Sequence, residues 1–187
     1  SLIRLSTKTL KAPKDNPFYA QGGAAKYIWS YGHRNPQGLV IDDRHGHIWL
    51  MEHGPKGGDE INLIKKGKNY GWPKATYGRE YSGPKIAPSH VKGMEQPHKY
   101  YVPSIAPSGL MLYSGKLFSN WAGDLFAGAL KLTHLNHIKV DGIEKTPKLT
   151  KESRYLQDLK ERIRDVVERP NGEIFVSTDS GKILRLY

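Results

Sequence analysis

The chain contains no cysteine. Disulfides and thiolate metal centres are therefore excluded, while an oxidising compartment is tolerated. No apolar run is long enough to span a bilayer. Helical periodicity is almost absent, and the spacing predicts one short helix, over 153–162 (SRYLQDLKER). No GxSxG elbow, GxGxxG turn or P-loop occurs, so serine-hydrolase and nucleotide-loop chemistry has no support. There is no Lys/Arg-rich arm and no basic helix, although the net charge is +11 and the pI about 9.7. Positive residues are scattered apart from KKGK at 65–68. That pattern favours a solvated basic surface or a small polyanionic ligand and argues against a nucleic-acid partner.

What is present is a loop-rich β pattern. The 187 residues include 20 glycines and 12 prolines, with 37% hydrophobic and 25% charged residues, as in one globular domain. Short apolar runs bounded by Gly, Pro, Asn and Asp read as strands, SLIRL at 1–5 among them. No signal peptide is visible. Three runs repeat one order: GLVIDDRHGHIWLMEHG (38–54), GLMLYSGKLFSNWAGDLFAGALK (109–131) and IRDVVERPNGEIFVSTDSG (163–181). Each gives a strand, a turn with Gly and a second strand, then a third candidate: EINLIKKG, LTHLNHIKVDG or KILRLY. The last two copies are offset by about 49 residues, within the repeat length of propeller blades. The expectation is an all-β, partial β-propeller in one domain, with blades near 34–68, 105–142 and 160–187 and a long loop at 69–101. A β-sandwich is the alternative. Three blades do not close a ring, so either further blades lie in a longer chain or a second copy completes it.

In an antiparallel hairpin the start of the first strand and the end of the second lie together. That end gathers Arg34 and Asn35, then EHGP (52–55), Lys131, Arg162, Arg164 and Thr178, with little acid close by. Guanidinium groups pair bidentately with carboxylates, so a small ligand carrying several carboxylates fits. On a plain surface, Arg162 and Arg164 would pair instead with Glu161 and Asp165. In EHGPKGGDEINLI an irregular backbone exposes carbonyls beside acids, which suits calcium. The candidates are the carbonyls of Gly54 and Pro55, with Asp59 and Glu60. His45 and His47 lie in a turn and His134 and His137 in or near a strand, and they read as surface histidines rather than a zinc site.

GHRNPQG, EHGPKGGDEINLI, GKNYGWP, GALK and ERIRDV…PNGEIFVSTD together resemble the soluble quinoprotein aldose dehydrogenases. These are six-bladed propellers of the glucose/sorbosone dehydrogenase family that use pyrroloquinoline quinone (PQQ). The likeness runs in order through most of the chain and matches the C-terminal half of the family. It implies that Arg34 and Asn35 line the PQQ and sugar site, with Arg34 polarising the quinone. Lys131, Arg162, Arg164 and Thr178 would hold the cofactor's carboxylates and ring edge. The Gly54 and Pro55 carbonyls would bind the calcium on PQQ, and Asp59, Glu60 and Tyr70 match a further calcium site. The implied reaction oxidises an aldose at its anomeric carbon to a lactone, a base taking the hydroxyl proton as hydride passes to the quinone. An external acceptor would then take the electrons. A periplasmic or secreted location follows from the same likeness. The family's histidine base falls in an earlier blade that has no counterpart here, and His53 matches no such motif. The chain alone is therefore expected to bind PQQ poorly and to be inactive, or to serve as a noncatalytic propeller module.

Overall fold

The computed structural model describes all residues 1–187. Nearly all regular structure is β. A two-stranded ribbon joins β1 (Leu2–Ile3) to β2 (Ile28–Ser30). The first sheet runs β3 (Pro36–Asp42), β4 (His47–Glu52), β5 (Asp59–Leu63) and β6 (Lys99–Tyr101). The second runs β7 (Pro107–Leu112), β8 (Leu125–Ala129), β9 (His134–Asp141) and β10 (Lys148–Tyr155). The third has β11 (Ile163–Glu168), β12 (Ile174–Thr178) and β13 (Ile183–Leu186). Every sheet is antiparallel and built from consecutive strands. The innermost strands β3, β7 and β11 lie side by side, which makes the sheets successive blades of an incomplete β-propeller.

Strand alternation decides which residues join the blades. On β4, Trp49 and Met51 face the second blade, where they meet Leu110, Leu125 and Ala127. Leu50, one residue out of phase, packs with Ile64 and Tyr70 on the other face. On β8, Phe126 turns to the third blade and meets Ile163, Val166 and Val176. Both faces of these middle strands are therefore buried, and each large side chain contributes about 1.5–3 kcal/mol. The inner strands approach closely at Gly38, where a Cβ would come within 2.5 Å of the Leu110 Cβ. Two apolar faces have no cover. Leu39 and Ile41 on β3 are 46% and 57% exposed, and Val167 and Ile183 on the far side of the third blade are 49% and 67% exposed.

Two stretches differ from expectation. Residues 148–155 form the outer strand β10, not the start of a helix, and only a 3₁₀ turn over Gln157–Leu159 follows. Leu156 and Lys160 adopt positive φ (63° and 53°), which breaks a helix at both ends of that turn. The 69–101 loop ends in the short strand β6, paired with β5. No helix is long and apolar enough to cross a membrane.

Candidate functional site

One end of the three blades repeats a construction. The start of each inner strand pairs with the end of the next: Pro36 with Glu52, Pro107 with Ala129, Ile163 with Thr178. Directly after each pair the register slips, between Pro36 and Gly38, Pro107 and Leu110, and Ile163 and Asp165. Bulges of this kind re-aim side chains and gather near functional sites. The three ends are stitched together. His53 Nε2–H donates to the Pro107 carbonyl at 2.6 Å, and the Ser108 hydroxyl donates to the Ile163 carbonyl at 2.7 Å. Arg34, Lys131, Arg162 and Arg164 are therefore brought to one mouth. His53 spends its Nε2 on joining blades, a structural task.

Arg34 and Asn35 precede β3 because a buried network holds the chain there. Arg34 N–H donates to Glu52 Oε2 at 2.7 Å. The other oxygen, Oε1, accepts from His33 Nδ1–H at 2.9 Å and from Asn62 Nδ2 at 3.1 Å. His33 Nε2 takes the Ser30 hydroxyl at 2.9 Å, and its ring stacks on Tyr70. Ser30 and Asn62 are fully buried and Glu52 nearly so. The Ser30–His33–Glu52 spacing is that of a nucleophilic triad, but a fully buried hydroxyl meets no substrate. The network instead fixes the Arg34 backbone. Its guanidinium donates Nη1–H to the Gly54 carbonyl at 2.8 Å and lies 5.3 Å from the Trp72 ring centroid. Asn35 is exposed, and its side chain accepts from Gln37. Glu52→Gln sets an amide N–H₂ against either the Arg34 N–H or its partners on the other oxygen. The expected loss is about 1–3 kcal/mol of unfolding free energy, read by urea denaturation; an unchanged midpoint would show that the network relaxes freely.

The proposed metal ligands separate on inspection. Asp59 is largely taken up by protein donors. Its Oδ1 accepts Gly54 N–H at 3.1 Å. Its Oδ2 accepts the Ser104 hydroxyl at 2.6 Å and the N–H groups of Ile105 and Ala106 at 2.9 and 3.1 Å. Glu60, next along β5, faces the opposite side and lines a cleft of about 10 Å³ with Arg34, Glu52, Tyr70, Trp72 and Thr76, room for about one water molecule. Burial, then the nearby Glu52, pushes the Glu60 carboxyl up to about 8. The Tyr70 phenol is committed elsewhere: it donates to the Leu63 carbonyl and accepts Lys65 N–H. The carbonyls of Tyr70 and Pro55 accept no hydrogen bond, whereas that of Gly54 is taken by Arg34. No three His, Asp or Glu side chains converge as a metal centre.

The third blade carries a correction. Acid is close by after all. Arg162 Nε–H donates to Asp179 Oδ2 at 2.7 Å, and Arg164 Nε–H donates to Asp179 Oδ1. Neither arginine pairs with Glu161 or Asp165; Glu161 accepts from Ser180 and Lys182. The two guanidinium groups hold the Asp179 carboxyl below its usual range. Lys131 is exposed and has no ion-pair partner within 4 Å. Thr178 is buried, and its hydroxyl meets Ser180 Oγ at 3.0 Å and Lys182 N–H at 3.2 Å; it locks a turn rather than facing the mouth. The strand histidines are not surface groups: His134 and His137 are 0% and 8% exposed, and His137 Nε2–H donates to Asp124.

Sequence reasoning placed Glu52 at this end, within EHGP, without giving it a role, and assigned none to Asn62, Trp72 or Asp179. A lone acid ending an otherwise apolar strand, as in WLME, is the signal that could have singled out Glu52.

Comparison with known proteins agrees with this architecture. A family model described as glucose/sorbosone dehydrogenase matches residues 1–185. The aldose sugar dehydrogenase YliI of Escherichia coli (strain K12) is 46% identical over 190 residues, 99% of this chain and 50% of the relative. A crystal structure of a glucose dehydrogenase superposes with a TM-score of 0.92 at 44% identity, over 99% of this chain and 54% of that one. The PQQ-bound form of aldose sugar dehydrogenase from Streptomyces coelicolor gives 0.71 at 25% identity, over 98% of this chain and 50% of that one. The chain thus spans about half the length of these relatives. The match to the family model over nearly the whole chain makes it a member of the glucose/sorbosone dehydrogenase family.

Proposed function

We propose that this chain is the cofactor-holding half of a PQQ-dependent aldose dehydrogenase that converts aldoses to lactones and passes electrons to an external acceptor. The observation that carries this is the mouth itself, where three blades bring Arg34, Lys131, Arg162 and Arg164 to one end. PQQ carries three carboxylates, and this donor set fits them: Lys131 is unpaired, and Arg162 and Arg164 are half exposed. When bound, PQQ would supply the two-electron acceptor for the sugar's anomeric C–H bond. The chain's own part is positional. Lys131, Arg162 and Arg164 would bind carboxylates. Arg34, fixed by Glu52, would present a positive charge where quinone oxygens gain electrons. Asn35, exposed beside it, would meet the cofactor edge or the sugar. Thr178 would act only through the turn it locks.

Calcium fits as well, on chemistry rather than on a preformed cage. Glu60 is a buried carboxyl pushed up to about 8 by burial and by Glu52, and a cation beside it would favour its ionised form. Asn62 Oδ1 is buried without a partner, and the Tyr70 and Pro55 carbonyls are free. An all-oxygen set of this kind suits a hard cation. Glu60 and the Tyr70 carbonyl would hold one ion, and the Pro55 carbonyl, joined by that of Gly54 if Arg34 releases it, would hold another beside the cofactor.

The uncovered faces at Leu39–Ile41 and Val167–Ile183 are where the remaining blades would pack, and relatives twice as long supply the room for them. Those blades would supply the other half of the ring and the sugar-proton base, so this chain alone would bind PQQ weakly for want of the first and would not turn over for want of the second. The periplasm or the exterior is the expected location. Equilibrium dialysis of the chain with PQQ and calcium tests the reading. Weak but saturable binding is expected, weakened at least tenfold by Arg162→Ala combined with Arg164→Ala. Binding indifferent to both substitutions, or none at all, would overturn it.

A further inference from the structure

We propose that Asp179 is a positioning residue that sets the Arg162 and Arg164 guanidinium groups as a rigid pair with their outer edges toward a ligand's carboxylates. The inference rests on the PQQ reading above. A guanidinium has two forks, one through Nε and one between the two Nη atoms. Arg162 and Arg164 both spend the Nε side on the same carboxylate. Arg164 adds Nη2 to Asp179 Oδ2 at 3.3 Å. No protein acceptor takes either Nη atom of Arg162 or the Nη1 of Arg164. What remains pointed outward is donor capacity of the kind a polycarboxylate uses.

The anchor is stiff where the arginines are not. Asp179 N–H donates to the Arg162 carbonyl at 3.0 Å. The turn beyond it closes by Thr178 N–H to the Lys182 carbonyl and Gly181 N–H to the Thr178 carbonyl, both at 3.1 Å, and by the Thr178 hydroxyl. Two long, half-exposed side chains two residues apart would otherwise repel and wander. Holding them beforehand removes ordering that binding would have to supply. A carboxylate at the centre of an anion site makes sense on these terms. On charge alone it would only weaken the ligand.

That contrast fixes the sign of the test. Asp179→Asn keeps the size but offers one oxygen where two Nε–H groups need acceptors. Charge alone predicts tighter binding of an anion; positioning predicts weaker. The measurement is PQQ affinity of the whole 187-residue chain at fixed calcium and salt, paired with ¹⁵N spectra of the arginine Nε–H groups. Two slowly exchanging Nε–H signals are expected in the wild type and neither in Asp179→Asn, with PQQ bound about tenfold more weakly by the variant. Equal or tighter binding by the variant, or no protected Nε–H signals in the wild type, overturns the assignment while leaving the PQQ reading intact. No PQQ binding by the wild type overturns both.

Discussion

Asp59→Ala is expected to lower the unfolding free energy by about 3–5 kcal/mol. Asp59 is fully buried and satisfies four donors at once: Gly54 N–H, the Ser104 hydroxyl, and the N–H groups of Ile105 and Ala106. Three are backbone groups; Ala106 N–H keeps a second acceptor in Ser104 Oγ at 3.0 Å, while a buried N–H left without a partner, as at Gly54 and Ile105, costs about 1–3 kcal/mol. Ala106 sits at φ +50°, a strained conformation for a residue with a Cβ, and the carboxylate holds that turn. The same oxygens tie the 54–58 loop to the entrance of the second blade, so the loss falls on a junction between blades. Asp59→Asn should recover part of the stability, because one carbonyl oxygen remains. Urea denaturation followed by tryptophan fluorescence measures both, and a loss below about 1 kcal/mol for alanine would contradict the assignment.

Calcium should change how stability depends on pH, and Glu60 sets the sign. Its carboxyl has an ordinary value of 4.5 and is raised to about 8 in the folded chain, by burial first and by Glu52 and Asp59 after it. Between those values the folded state keeps a proton that the unfolded state has released. Glu60's own contribution to metal-free stability is therefore full below about pH 4.5 and is lost as pH rises toward 8, by on the order of 3–4 kcal/mol after allowance for solvent near a partly buried group. Calcium binds the ionised form, so saturating calcium should flatten the slope. Glu60→Gln should flatten it with or without metal. Melting curves across this range at controlled calcium check the point; a flat metal-free profile would remove Glu60 from the candidate ligands.

The inner parts of the blades were legible in the sequence because their middle strands are strongly apolar, buried on both faces in β4 and β8 and on one face in β12. Runs such as IWLM, LFAGAL and IFVS have little other way to be satisfied. The outer strands were harder to read. β10 reads KLTKESRY, polar along an edge and interrupted by a register shift between Leu149 and Glu152, so its alternation is lost. At the candidate site, the strand ends that Arg34, Lys131, Arg162 and Arg164 flank could be read from hairpin geometry, but the partners of these side chains could not. Asp59 and Glu60 are adjacent on one strand and must face opposite ways; that rule separates them without saying which one faces the cleft. Asp179 looked like one more turn residue, because a carboxylate shared by two arginines depends on a register that the sequence does not display. Glu52 was hidden for a similar reason: its worth lies in contacts with Ser30, His33 and Asn62, which come together only when β2, β4 and β5 are in place.

Since each sheet is made from strands consecutive in the chain, folding can proceed in order. A blade needs only the residues already behind it, loop-closure costs stay small, and the first blade can form while the third is still being synthesised. Neighbouring blades then add their interface energies much as units of a repeat array do. No strand is shared across the left-handed connection at Leu156–Lys160. A chain cut there yields two pieces that each retain their sheets, and they should reassociate through the Phe126–Ile163 apolar interface together with the Ser108–Ile163 and Tyr113–Gly172 hydrogen bonds.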